Sequence, residues 1–223
     1  MKSQERLESL LMTIDTLGMC KIKHLQQIHD LKSYRNACRV VKQLSPYLHE
    51  VFHAKEKVVY LNKEGRDLIG SKKERKANTL IEHTLLANEA YLHFNCPLDW
   101  KREYVLEEKP KSSIKGLHIG GLKLASKKVI ADAAFTRNDY LYLIEIDNTR
   151  KMIDNRKKIK TYLEMLRPSH KLIIFTTTED RKRKFEGMLK GRGEVLIFKG
   201  KNINSGAEKT TPPNRPTIAP PMK

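Results

Sequence analysis

Val129-Ile130-Ala131-Asp132-Ala133-Ala134-Phe135-Thr136 and, past the turn residues Arg137-Asn138-Asp139, Tyr140-Leu141-Tyr142-Leu143-Ile144-Glu145-Ile146-Asp147 form the stretch on which the fold turns. Each half is a short apolar run rich in β-branched and aromatic side chains, and the residues between them are turn formers. Two strands joined so closely are antiparallel neighbours. The pair carries carboxylates at Asp132, Glu145 and Asp147. Glu145 and Asp147 stand two residues apart, so both point to one face of a strand, and Asp132 lies on the strand beside it. Carboxylates gathered at one sheet end repel one another unless a cation or a basic side chain neutralises them.

Outward from this hairpin the periodicity continues. On its N-terminal side it predicts a helix over 79–94, a strand over 102–107 and a loop or loose hairpin over 109–128, where Pro110, Gly116, Gly120 and Gly121 fall. On its C-terminal side it predicts a helix over 151–166, a strand over 171–176, a helix over 179–190 and a last strand over 195–198. Beyond Lys199 the chain is rich in Lys, Asn, Thr and Pro, with five prolines after Thr211, and 200–223 reads as a disordered tail. The order helix, three strands, helix, strand resembles the core of the restriction-endonuclease-like, or PD-(D/E)XK, fold. Val129-Ile130-Ala131-Asp132 is similar to its Pro-Asp element, with Ala131 in place of proline. Glu145-Ile146-Asp147 is similar to its Glu-x-Lys element, with Asp147 where lysine is usual. The resemblance implies Mg2+ or Mn2+ held by Asp132, Glu145 and Asp147, the ion activating water for attack on a phosphodiester. A lysine from the following helix then supplies the missing positive charge: Lys158 first, ahead of Lys151 and Lys157. The expected catalytic set is therefore Asp132, Glu145, Asp147 and Lys158. The plainer reading keeps these carboxylates as structural partners of the many basic side chains nearby.

The N-terminal third reads differently. Leu7, Leu10, Leu11, Ile14 and Leu17 recur at helical spacing over 6–17, and Gly18 ends the run. Shorter helices follow over 21–29 and 33–45, separated by Asp30-Leu31-Lys32, with Ser33 as N-cap of the second and Pro46 as its stop. Strands over 48–53 and 57–61 flank the turn Ala54-Lys55-Glu56, and a helix closes the unit near 62–69. Three helices, a two-stranded wing and a helix make a winged helix-turn-helix, whose third helix enters the major groove. The candidate DNA-contacting residues are Lys32, Ser33, Tyr34, Arg35, Asn36, Arg39 and Lys42 on that helix, with Lys55 and Lys57 on the wing. The chain thus divides into a winged helix over 1–70, a basic linker over 71–78, and a nuclease-like α+β (or α/β) domain over 79–199.

Charge fits this division. The formal net charge is +18, and such a cation seeks polyanions, because each Lys or Arg set on a phosphate releases a condensed counterion. No apolar run approaches the roughly 18 residues of a membrane span, and the N-terminus lacks a secretory pattern. Nucleic acid is the better partner than a membrane surface. Cys20, Cys38 and Cys96 are few and widely spaced, which argues against a disulfide framework or zinc ribbon and for a reduced, cytoplasmic setting. There is no Gly-x4-Gly-Lys-Ser/Thr phosphate loop and no His-hydrophobic-His element beside a candidate tyrosine nucleophile.

Residues 5–198 as a whole resemble the replication-relaxation family of plasmid and mobile-element proteins. The matching phrases are Val59-Tyr60-Leu61-Asn62-Lys63-Glu64-Gly65-Arg66, Glu82-His83-Thr84-Leu85-Leu86-Ala87-Asn88, Ala131-Asp132-Ala133, Glu145-Ile146-Asp147 and Lys158-Ile159-Lys160-Thr161-Tyr162. The resemblance implies a role in plasmid replication and DNA relaxation. The expected partners are double-stranded DNA, other replication or transfer proteins, and a second copy of the chain in a homodimer. Two functions follow as expectations: a metal-dependent DNA nickase or endonuclease, or a non-catalytic DNA-binding regulator or accessory factor with a degenerate nuclease-like domain.

Overall fold

The computed structural model describes residues 2–75, 80–108, 127–148 and 150–198. Of the loop or loose hairpin expected over 109–128, residues 109–126 lie outside the described residues, as do the end of the linker and the tail, and Lys127 and Lys128 belong instead to a strand. The architecture is mixed α+β, with helices packed on two sheets. In order these are α1 (Lys2–Leu17), β1 (Cys20–Lys21), α2 (Ile22–Ile28), α3 (Tyr34–Gln43), a 3-10 turn (Ser45–Tyr47), β2 (Leu48–His53), β3 (Glu56–Leu61) and α4 (Lys63–Ile69). Then follow α5 (Ile81–His93), β4 (Lys101–Glu108), β5 (Lys127–Arg137), β6 (Tyr140–Ile146), α6 (Met152–Met165), β7 (His170–Thr176), α7 (Glu179–Leu189) and β8 (Glu194–Ile197).

The apolar stripe of α1 buries Leu10, Leu11, Ile14 and Leu17 against Ile22, Leu25, Val40, Val41 and Leu44. Local chemistry sets the helix ends. Ser33 Oγ accepts the Asn36 N–H at the start of α3, and Asn62 Oδ1 accepts the Gly65 N–H at the start of α4. Two hairpin turns are tighter than the sequence suggests. His53 pairs with Glu56, so the β2–β3 turn is Ala54 and Lys55 alone, with φ of 48° and 64°. Asn138 and Asp139 connect β5 to β6 in the same left-handed region, φ 49° and 63°. Positive φ at both central residues gives the turn a twist that matches its strands. The short strand β1 has no sequence signature; it exists because Cys20 and Lys21 lie antiparallel to Val59 and Val58.

The larger sheet has the order β4-β5-β6-β7-β8. β4, β5 and β6 are antiparallel, while β6, β7 and β8 are parallel and joined by α6 and α7. Helix α5 covers one face, with Leu86, Ala90 and Phe94 against Phe135, Ile144 and Phe175. Helices α6 and α7 cover the other, with Ile159, Tyr162 and Phe185 against Leu143, Leu172 and Ile174. β7 is therefore buried on both sides, which is why its sequence reads as one apolar run rather than an alternation.

Helix α5 also reaches the smaller sheet: Leu85 packs on Met19, Val58 and Tyr60. One irregularity positions the site described below. Arg102 of β4 faces α5, yet Tyr104 and Leu106 pack on the α6 side, although alternate residues of a regular strand share a face. The switch falls at Glu103, with φ of 52°; opposite it, Ala131 faces α6 and Ala133 faces α5. Between those two alanines sits Asp132.

Candidate functional site

Asp132 and Glu145 stand opposite each other, one step beyond the last β5–β6 pair, Ala133 with Ile144. Oδ2 of Asp132 accepts the Ile146 N–H at 2.7 Å and lies 3.4 Å from His83 Nε2 on α5. Among the described residues Asp132 Oδ1 has no hydrogen-bond partner. Glu145 points to the α6 face, where Lys158 Nζ donates to Oε2 at 2.7 Å and the Tyr162 hydroxyl donates to Oε1. Lys158 and Tyr162 sit four apart on α6 and so meet the same carboxylate.

These neighbouring carboxylates are pushed in opposite directions. Burial, reinforced by the charge of Asp132, raises Glu145 to about 7 despite Lys158 and Tyr162. Burial also works to raise Asp132, but the His83 hydrogen bond, the Lys158 charge and the Ile146 N–H outweigh it and hold Asp132 below its ordinary value. Two carboxylates in one partly dry site behave in this way when one keeps its charge and the other yields. The Tyr162 hydroxyl, pushed far up by burial and by the Glu145 charge, stays a neutral donor.

Asp147 does not join them, which corrects the expected trio. The two-residue spacing does put Glu145 and Asp147 on the same face. There, however, the Asp147 carboxylate is already filled: Oδ1 accepts from Asn155 Nδ2 at 2.8 Å and Arg181 Nη2 at 2.6 Å, and Oδ2 from Thr176 Oγ1 at 2.9 Å. Arg181 Nε completes a two-pronged pairing with Oδ2. Among the described residues no three His, Cys, Asp or Glu side chains are placed to share a metal ion. The three carboxylates expected to share Mg2+ or Mn2+ are therefore not gathered at one point; Asp132 and Glu145 meet, and Asp147 is held by Arg181.

Asp132 and His83 line a cleft of about 950 Å³ between the two sheet units. Lys73, Arg75, Lys101, Arg102 and Arg150 bring positive charge to its walls, Glu74 and Glu103 add negative charge to that of Asp132, and Trp100 contributes an aromatic ring. Sequence reasoning passed over Arg75, Arg102, Arg150 and Tyr162. Two had a legible signal: Tyr162 falls one helical turn after Lys158, and Arg102 is a cation at a half-buried strand position.

The candidate DNA-contacting residues divide by what already engages them. Lys32 pairs with Asp30 at 2.6 Å and Lys57 with Glu50 at 2.6 Å. Ser33 is spent on its cap, and Asn36 donates to Leu31 O while accepting from Arg39 Nη2. Tyr34, Arg35, Arg39 and Lys42 remain exposed along α3, as does Lys55 at the hairpin tip. Among the described residues no helix is long and apolar enough to cross a membrane.

No family model matches this sequence, and no curated protein matches it. Among solved structures it is similar to the crystal structure of protein VC1899 from Vibrio cholerae, with 13% identity and a TM-score of 0.37 over 86% of this chain and 48% of that one. The chain thus spans about half the length of that protein.

Proposed function

We propose that this chain is a double-stranded-DNA-binding protein. Residues 1–70 act as a winged helix-turn-helix with α3 in the major groove and the β2–β3 hairpin as wing. The second sheet is a restriction-endonuclease-like scaffold without a working metal centre. The observation that carries the reading is the outer face of α3: Arg35, Arg39 and Lys42 follow one another at helical spacing, with Tyr34 beside them, and the helix holds no acidic residue. Arginine offers a planar fork that matches a guanine edge. The net charge of +18 supplies the non-specific attraction. The resemblance to replication-relaxation proteins adds a plasmid or mobile element as the setting, with replication or transfer proteins and a second copy of the chain as partners.

The test is duplex binding followed by fluorescence anisotropy across a salt series. Log affinity should fall with log salt by about 0.9 for every phosphate neutralised. Arg35→Ala and Arg39→Ala should each cost about 1–3 kcal/mol on a preferred site and less on random duplex. Salt-independent binding would remove the nucleic-acid reading, and unaltered variants would remove α3 as the reader. A second reading, hydrolytic, is favoured by the meeting of Asp132, Glu145 and Lys158. Supercoiled plasmid incubated with Mg2+ or Mn2+ decides it: nicking that disappears in Asp132→Ala establishes hydrolysis, and persistently intact plasmid leaves DNA binding alone.

A further inference from the structure

Arg102 is half-buried on β4, with one nitrogen enclosed. Both of its hydrogen bonds leave from Nη2, one to Asn88 Oδ1 and one to Thr84 O at 3.5 Å. Its Nε is buried without a partner, alone in this among the described side-chain nitrogens and oxygens. A buried donor left unpaired costs free energy comparable to a lost hydrogen bond. Arg75 is close by: its Nε lies 3.4 Å from the position a Cβ on Gly18 would take, and Gly18 precedes Met19, whose carbonyl accepts from Asn88 Nδ2 at 2.6 Å. Asn88 thus ties the Gly18 corner to Arg102, and the two guanidiniums line one cleft. Burial and the like charge of Arg75 lower Arg102 to about 10, against the opposing charges of Glu103 and Asp132. The lining keeps a cationic excess, Lys73, Arg75, Lys101, Arg102 and Arg150 against Glu74, Glu103 and Asp132, and with the unused Nε donor it favours an anion as occupant.

We infer that this cleft binds a phosphoryl group carried on a single nucleic-acid strand, with Arg75 and Arg102 on the phosphate and a base against the part of Trp100 left open, its ring being stacked on Phe135 at 5.7 Å and edge-on to Tyr91. Guanidinium forks suit phosphate oxygens, which accept two donors at once. Lys101 and Arg150 extend the cationic wall, whereas Lys73 is already paired with Asp15 at 3.2 Å. A cleft of about 950 Å³ is at the upper end of small-ligand sites, which suits an unpaired segment better than a duplex. Base-on-aromatic stacking with backbone charge pairing is how single strands are held without sequence preference. The inference rests on the nucleic-acid reading above but places a separate contact, in a cleft whose lining includes no residue of α3.

Trp100 is the sole tryptophan, so its fluorescence reports on the cleft. The experiment titrates the full chain with an oligothymidylate of about ten residues, with inorganic phosphate and, by anisotropy, with labelled duplex. The oligonucleotide should change Trp100 emission saturably. Arg75→Gln should weaken that response by about tenfold, the loss of one charge-assisted hydrogen bond, and Arg39→Ala should leave it unchanged. Arg102→Lys should weaken it too; the exposed Arg75 carries the test if that variant does not fold. No change in emission at saturation, or equal affinity in Arg75→Gln, overturns the inference. Inorganic phosphate binding as tightly as the oligonucleotide overturns the strand and leaves a free-phosphate site. Duplex binding that survives while Trp100 stays silent sinks the cleft alone; a Trp100 response without duplex binding sinks the major-groove reading and keeps the cleft.

Discussion

Water reaches Asp132 and Glu145 unequally, and that difference sets their charge states. Glu145 is 6% exposed and has Asp132 as a like-charged neighbour, so its proton is held until about pH 7 rather than the ordinary 4.5. In that window the folded chain binds more protons than the unfolded one, so the Glu145 contribution to stability is lost as pH rises from 4.5 to about 7. Asp132 works in the opposite sense: held low, it contributes stability above its ordinary range and loses it as pH falls. Denaturant unfolding at a series of pH values should therefore show a downward slope across the Glu145 window that flattens in Glu145→Gln. Parallel slopes in the two proteins would mean that Glu145 is ionised throughout. Asp147 marks the limit of reading residues singly. Its place on the Glu145 face follows from spacing, but its capture by Arg181 depends on a helix thirty-four residues further along the chain.

At the scale of elements, two glycines of similar local setting should behave oppositely. Gly65 lies in α4, and a Cβ there would stand 2.3 Å from the backbone carbonyl oxygen of Tyr47. That carbonyl also accepts the Asn62 N–H at 3.1 Å, so it has no freedom to withdraw. Gly187 lies in α7, and nothing comes within 4 Å of its added Cβ. Gly65→Ala should lower stability by about 1–3 kcal/mol through overpacking. Gly187→Ala should raise it by about 0.5–1 kcal/mol, since glycine is the poorer helix former. Thermal melts of both variants check the pair, and a stabilised Gly65→Ala would refute the close packing of α4 on the 3-10 turn. The helices and longer strands were legible because their apolar periods are long. β1 was not, because two residues carry no period and only β3 makes them a strand.

For the whole molecule, α5 is the element shared by both halves. Its Leu85 serves the core beside the smaller sheet, while Leu86, Ala90 and Phe94 serve the larger one. Glu89 reaches His24 of α2 at 3.0 Å, and Asn88, fully buried, bridges Met19 O to Arg102. Asn88→Ala leaves that carbonyl and part of Arg102 unpaired, at about 1–3 kcal/mol for each buried group. It should also loosen the two units from each other, turning a single melting transition into two or broadening it. A calorimetric scan that stays single and as sharp as wild type would show that the bridge does not couple them.

The amino-acid sequence by itself determined the order of helices and strands, the antiparallel β5–β6 hairpin and the strongly cationic balance, because periodicity, turn chemistry and charge are properties of neighbouring residues. It also carried the Lys158-Tyr162 spacing that serves Glu145. Tertiary structure alone decided which carboxylates meet. The change of strand phase at Glu103 and Asp132, the arrival of Arg181 at Asp147 and the sharing of one cleft by Arg75 and Arg102 join residues far apart in the chain. Burial then sorts the members of that meeting, because charge costs most where water is excluded, and exclusion of water is a property of packed layers rather than of any one segment.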